Sequence, residues 1–521
     1  MSAGLRLLER LAVPAARAPD AVAIIESSGK TISRRAFHER VESLTHGFMR
    51  AGLQPGDRVL FAVRPCIEAI ALIIAITETG GVLVPAAVGI GDVLFESQMR
   101  LVAPKWVVAE SVLLAASFSR IARRMLTRLG VTLPSMHCIR SASFIRVGPP
   151  VPWGPSSMSA NALAARGKTP AATLPTISDD AEAIVVFTSG TTAAPKGVVH
   201  SQRSLRATLD IIDAQLDVGE GDTVLSRDLH MILPALFHGA RVVISTASKF
   251  SPSRIAELFD TFQVTHTFAV TADCQSLLEH LTTVGRRLPD SVRQVLIGAA
   301  PVHATFMDRF RDILPSGATA WCVYGMSEML PVSSIELSEK LSFEGAGDVV
   351  GRPVAGVHVR VTADGELAVR GRNLFTGYLG GPAVEEHLTG DLARLDDGRI
   401  VLVGRAKDMI IRREHNIYPA LHEPVIERIG GVRRCAMVGV FDDAAADERV
   451  VLAIEPESHC DDDAFIERLR RDLRAGPNRI DDAAQPDLIL RTRIPLSGRS
   501  SKVDREAVRQ LAQRQLACAS R

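Results

Sequence analysis

Residues 183–200, AIVVFTSGTTAAPKGVVH, constrain this chain more than any other stretch. Residues 183–187 are apolar, short and mostly β-branched, and breakers follow at once, so they read as a buried strand. Behind it stand Thr188, Ser189, Gly190, Thr191 and Thr192, then Pro195, Lys196 and Gly197. Small hydroxyl and glycine residues let backbone N–H groups turn toward one point, and a lysine brings a mobile positive charge to it. That chemistry suits a polyphosphate. The spacing differs from the Gly-x-x-x-x-Gly-Lys-Ser/Thr loop, which runs straight into a helix. A solvated surface turn would not call for so many hydroxyls directly behind a buried strand.

A chain of 521 residues exceeds one ordinary hydrophobic core, so two or more domains are expected. Lys plus Arg number 60 against 59 acidic residues, a balance that gives no reason to expect nucleic acid or an anionic membrane as the main partner. Cys66, Cys138, Cys274, Cys322, Cys435, Cys460 and Cys518 are scattered and never spaced Cys-x-x-Cys. They read as free thiols of a reducing cytoplasm. The N-terminal residues lack a long apolar run before a small-residue cleavage site, so no secretion signal is expected. Residues 69–77 are the most hydrophobic segment, but Glu68 and Glu78 bound it and it is too short to span a bilayer. It reads as a core helix, and no integral membrane segment is expected.

Strand-like and helical patterns alternate through residues 1–147: a helix over 37–53 closing at Gly52, a strand over 58–63, a helix over 67–77 and a strand over 82–86. This order argues for a mostly parallel α/β sheet. Residues 147–173 are rich in Pro, Gly, Ser and Ala without a sustained period and read as an exposed loop. Beyond the hydroxyl-rich stretch, Leu205, Leu209, Ile212 and Leu216 share one helix face, with Ser201 as its cap. Asp364-Gly365 and Asp397-Gly398 mark two hairpins, and residues 408–521 read as a small α+β unit.

Four further stretches look specialised. Gly298-Ala299-Ala300-Pro301 follows a strand, where a backbone can approach a flat ligand. Tyr324-Gly325-Met326-Ser327-Glu328 also follows a strand and offers an aromatic face, a hydroxyl and a carboxylate. Thr389-Gly390-Asp391 reads as a carboxylate on a tight turn, and Gly404-Arg405-Ala406-Lys407-Asp408 sits where the large region gives way to the small one. In this order and at these separations, the stretches resemble the adenylate-forming superfamily: acyl- and aryl-CoA ligases, luciferases and the adenylation domains of peptide synthetases. The resemblance covers nearly the whole chain.

The resemblance implies an α/β fold. Residues 1–405 would form a large AMP-binding region of two α/β subdomains plus a β-barrel-like portion, and residues 406–521 a small mobile α+β lid. It implies ATP and Mg²⁺, and a carboxylate that attacks the α-phosphate to give an acyl-adenylate and pyrophosphate. Thr188, Ser189, Gly190, Thr191, Thr192 and Lys196 would hold the outer phosphates, Glu328 would ligate Mg²⁺, and Ser327 would touch the α-phosphate. Tyr324, with Gly325 and Met326, would stack on adenine, and Gly298, Ala299 and Ala300 would line its slot. Asp391, with Arg405 beside it, would accept from both ribose hydroxyls. Lys407 matches the hinge position. Lys502 resembles the lid lysine that bridges the attacking carboxylate and the phosphate, and His230 is the candidate for the family's active-site histidine.

Three departures stand out. Ala193 replaces a glycine, the segment over residues 225–240 is short, and Arg413-Glu414 stand where CoA ligases usually carry glycines that let pantetheine pass. With YGMSEMLPV at residues 324–332, these features look like the olefin-pathway β-lactone synthetases. The expectation is activation of a fatty or other hydrophobic acid, followed by thioester formation with CoA. The alternatives are CoA-independent β-lactone closure on a β-hydroxy acid, loading of an acyl-carrier protein, or a catalytically silent nucleotide binder.

Overall fold

The helix Ile67–Glu78 presents apolar side chains on every face, and such a helix must be enclosed on all sides. In the computed structural model it lies between two large sheets, and Ile70, Leu72, Ile74 and Ile76 are each at most 2% exposed. The structure describes residues 6–86, 90, 92–128, 133–150, 154–169, 173–187, 196–247, 250–412, 415–442, 447–457, 463–497 and 502–519.

One sheet has eight strands, and its central members, Val82–Pro85, Arg58–Ala62, Trp106–Glu110 and Ser143–Val147, are parallel. Glu182–Phe187 joins it parallel to Val82–Pro85 and antiparallel to Gly197–Ser201. The other sheet has thirteen strands. Its parallel half runs through Thr223–Leu225, His266–Val270, Gln294–Gly298 and Thr319–Met326, and an antiparallel half continues from Met329–Glu336 to Val357–Val361. One apolar core joins the two sheets: Val59, Phe61 and Leu83 from one and Ile24, Val224 and Leu296 from the other pack on the helices between them. A large N-terminal part is therefore built of two α/β layers. A small C-terminal sheet, Val432–Asp442, Asp447–Pro456 and Leu488–Arg491, has cores of its own.

The expected helix over 37–53 is Arg34–Ala51, closed by Gly52 at φ +97°. Ser201 caps Gln202–Gln215 through a 3.2 Å bond from the Ser204 N–H. Both Asp-Gly hairpins form. At the second, Asp397 (φ +48°) and Gly398 (φ +74°) are both left-handed, the turn that a twisted two-residue hairpin requires.

Two expectations are corrected. Residues 147–173 are not simply an exposed loop. They contain the helix Ala160–Gly167, whose N-terminus is capped by Ser159 and whose Leu163 and Ala164 are buried against Arg34–Ala51. Alanine-rich ANALAARG favours a helix locally, and the prolines around it hide that preference in a compositional reading. Asp391 does not sit on a tight turn either. It belongs to the strand His387–Asp396, where Gly390 takes φ +74° and the pairing slips between Leu392 and Ala393. A bulge of this kind re-aims a side chain within a continuous strand.

Candidate active site

Strand Thr319–Met326 returns as Met329–Glu336 through Ser327 and Glu328, so Tyr324 and Glu328 project from the same end of one hairpin. Tyr324 Oη donates to Asp391 Oδ2 at 2.6 Å. The other carboxylate oxygen takes Arg405 Nε at 2.7 Å, and the two residues are register partners on adjacent strands. Asp391 is 4% exposed, so its charge is compensated from both sides. Burial, then the Asp391 charge, pushes the Tyr324 phenol far above its ordinary value, keeping it a donor.

Glu328 is held at several points. Its carbonyl accepts the Phe375 N–H at 2.8 Å, and its Oε1 accepts Tyr378 Oη at 2.9 Å. The carbonyl of neighbouring Ser327 meets His200 Nε2 at 2.7 Å. Burial holds His200 below the usual histidine range despite the opposing pull of Ser327 and Glu328. A neutral imidazole facing a carbonyl carries its proton on that nitrogen. Lys196 lies with its ammonium 5.4 Å from the centre of the Tyr378 ring. It immediately precedes strand Gly197–Ser201, and the hydroxyl-rich residues Thr188, Ser189, Gly190, Thr191 and Thr192 lie outside the described residues.

Gly298 ends its strand at the carboxyl edge of the parallel half-sheet, in register with Val270 and Val323. A Cβ there would stand 2.9 Å from the Val323 carbonyl and 3.4 Å from Phe268, so a larger residue would press on the neighbouring strand. Ala299 follows at φ +66°, turning the backbone out of the sheet before Ala300. His230, on helix Leu229–Phe237, meets the Phe268 ring edge-on at 4.8 Å. Burial lowers its pKa, and neighbouring Asp228 opposes that only partly. Ligands of open α/β sheets bind at this edge, outside the carboxyl ends of the strands.

Lys502 comes from the C-terminal part, in the short strand Lys502–Val503 paired with Leu496–Ser497. Its side chain keeps access to solvent yet lies within charge range of Arg405, Asp391 and Lys407. Loss of hydration and then repulsion from Arg405 hold its pKa below the ordinary lysine range, with Asp391 opposing. Arg505, three residues on, fixes that strand. Its guanidinium grips Glu423 at 2.6 Å and reaches Asp408, beside Lys407, at 3.4 Å. Arg412 is spent on Asp487 at 2.5 Å and on the Gln485 carbonyl at 2.8 Å, while Arg413 and Glu414 lie outside the described residues.

An unbroken path of contacts thus links Lys196, Tyr378 and Glu328, and the same hairpin carries Tyr324 to Asp391, Arg405 and the neighbourhood of Lys502. Gly298 and Ala299 end the strand beside Tyr324, and His230 reaches them through Phe268. Reasoning from sequence missed Tyr378 and His200. His200 closes the hydroxyl-rich stretch 183–200, and Tyr378 is one of only three tyrosines, set among glycines in TGYLGG. Two small cavities lie elsewhere, about 10 Å³ beside Arg34 and about 30 Å³ beside Asp273.

A family model described as "AMP-binding enzyme" matches residues 11–379. The chain belongs to that family. Olefin beta-lactone synthetase of Stenotrophomonas maltophilia is 27% identical over 528 residues, covering 91% of this chain and 90% of that protein. Feruloyl-CoA synthase of an Amycolatopsis species is 28% identical over 448 residues, with 81% and 83% covered. Amide bond synthetase McbA from Marinactinospora thermotolerans superimposes with a TM-score of 0.78 at 23% identity, covering 97% of this chain and 99% of that one. That last likeness is one of fold: a large N-terminal part followed by a small C-terminal part.

Proposed function

We propose that this chain activates a hydrophobic carboxylic acid, a fatty acid first among the candidates, as its adenylate at the expense of ATP. One observation carries the reading: Lys196, Glu328, Asp391, Arg405 and Lys502, which come from separate elements of the fold, are linked in one connected constellation. The acid's carboxylate oxygen attacks the α-phosphorus, the bond to the bridging oxygen of the β-phosphate breaks, and pyrophosphate leaves. Both partners are anionic, so a cation between them offsets their repulsion where the bond forms. Lys502 has that role. Lys196 and the hydroxyl loop, Thr188, Ser189, Gly190, Thr191 and Thr192, hold the outer phosphates and stabilise charge on the leaving group.

Glu328 is a single hard oxygen donor, and no group of three His, Cys, Asp or Glu side chains converges among the described residues. Such a site suits Mg²⁺ arriving on the phosphates, with one carboxylate as its protein ligand. When bound, the ion neutralises phosphate charge. Asp391 already serves Tyr324 and Arg405, but each carboxylate oxygen has a second lone pair for a ribose hydroxyl. Tyr324, Gly325 and Met326 supply one wall of the base slot and Gly298, Ala299 and Ala300 the other, with Ser327 at the α-phosphate. We take residues 1–405 as the adenylating part and 406–521 as a lid that turns about Lys407 between half-reactions.

In the reading we put first, the thiol of CoA then attacks the acyl carbonyl and AMP leaves. A second reading rests on the similarity to olefin beta-lactone synthetase along nine-tenths of both chains. There the acid's own β-hydroxyl attacks, AMP leaves, and neutral His230 takes the hydroxyl proton. A carrier-protein thiol is the remaining acceptor. We place the reaction in the cytoplasm because Cys66, Cys138, Cys274, Cys322 and Cys435 are free thiols. No helix of the described residues is long and apolar enough to cross a membrane.

The test is product analysis by mass spectrometry over a panel of fatty and β-hydroxy acids, with and without CoA. A thioester formed only with CoA supports the first reading. A lactone formed without CoA from a β-hydroxy acid supports the second, and ATP binding without any product identifies a silent nucleotide binder.

A further inference from the structure

Tyr378 touches both charged groups that face the phosphates, although they come from different sheets. Its Oη donates to Glu328 Oε1 at 2.9 Å, and its ring lies under the Lys196 ammonium, 5.4 Å from the centroid. That separation is within cation–π range. The residue is placed by backbone pairing, with Gly377 opposite Val199 and Tyr378 opposite Val198, two positions after Lys196. Gly377 is obligatory: it takes φ +152°, and a Cβ there would stand 2.4 Å from the Pro382 carbonyl. Phe375 packs edge-on against the ring at 5.1 Å and fixes its orientation. Among the described residues Lys196 has no ion-pair partner. Cation and carboxylate therefore stand on either side of one phenol instead of neutralising each other, and both stay available to a ligand.

We propose that Tyr378 is a positioning residue that aims Glu328 and Lys196 at the Mg²⁺-bound polyphosphate. The assignment rests on the adenylation reading. By holding one carboxylate oxygen, the phenol leaves the other for the metal ion, and by holding the ammonium over its face, it limits where the Lys196 side chain can reach.

The test titrates Mn²⁺ by electron paramagnetic resonance in the presence of an ATP analogue with a methylene bridge between the α- and β-phosphorus. Exchange of pyrophosphate into ATP is measured in parallel as a function of Mg²⁺. Tyr378→Phe keeps the ring and loses the hydroxyl. Mn²⁺ affinity should fall about tenfold, as when an outer hydrogen bond to a metal ligand is removed, and half-saturating Mg²⁺ should rise to match. KM for ATP at saturating Mg²⁺ should stay at the wild-type value. Tyr378→Leu should raise that KM as well, because Lys196 loses its platform. In a Glu328→Gln background Tyr378→Phe should add no further loss of Mn²⁺ affinity, which a purely structural tyrosine would not obey. Wild-type Mn²⁺ affinity and Mg²⁺ dependence in Tyr378→Phe would overturn this assignment alone. A wild-type protein with no nucleotide-dependent Mn²⁺ binding and no exchange would overturn the adenylation reading together with it.

Discussion

Tyr324 donates a 2.6 Å hydrogen bond to Asp391 across 67 positions of sequence. The bond ties the hairpin that carries Glu328 to the strand His387–Asp396, whose neighbour leads through Arg405 into the C-terminal part. Asp391→Asn keeps the shape but removes the charge: its amide N–H₂ can turn to donate to the Tyr324 hydroxyl, yet Arg405 is left facing a neutral acceptor in place of a carboxylate. A hydrogen bond to a buried charge contributes about 1.5–3 kcal/mol, so KM for ATP should rise by roughly one to two powers of ten. Steady-state exchange kinetics as a function of ATP measure this directly.

Lys502 offers a test by pH as well as by mutation. Lys502→Ala should lower the adenylation rate roughly 100-fold or more, the cost of removing one donor aimed at transition-state charge, while equilibrium ATP binding persists. The bridging role requires the protonated amine, and the folded protein holds its pKa below the ordinary 10.5. Exchange should therefore be intact at low pH and fall as pH rises through that lowered value. Lys502→Arg should abolish the alkaline limb, because a guanidinium stays charged. An unchanged limb in the arginine variant would assign the ionisation elsewhere.

Gly167 lies where the helix Ala160–Gly167 crosses Arg34–Ala51, and a Cβ there would stand 1.8 Å from the Ser43 carbonyl. The backbones must separate to accept it. Gly167→Ala should lower the urea midpoint by an amount equivalent to about 1–3 kcal/mol, the usual cost of overpacking, with kcat/KM unchanged because the contact is remote from the constellation. Equilibrium urea unfolding, paired with exchange kinetics, checks both halves.

Much of this architecture was legible because local signals and tertiary structure agree. The apolar run at residues 69–77 demanded enclosure, the Asp-Gly pairs demanded left-handed turns, and Ser201 capped the helix it precedes. The crossing of Gly47 and Gly167 was not legible, since close backbone approach leaves no periodic trace in a sequence. The bulge that aims Asp391 was hidden for a related reason: Gly390 reads as a turn wherever its strand continues. At the candidate site, the motifs singled out Tyr324, Glu328, Asp391 and Arg405, which one hairpin and a chain of contacts link. Tyr378 escaped because its role comes from a two-residue edge strand, whose partner about 180 positions away sequence patterning does not reveal.

The central claim is that an organic acid displaces pyrophosphate from ATP within this constellation. Carboxylate-dependent exchange of labelled pyrophosphate into ATP tests it most directly, because it reads the first half-reaction whatever acceptor follows. Mg²⁺-dependent exchange with at least one fatty or β-hydroxy acid is expected, together with its loss in Lys502→Ala. An absence of exchange across the whole acid panel, or undiminished exchange in that variant, would contradict it.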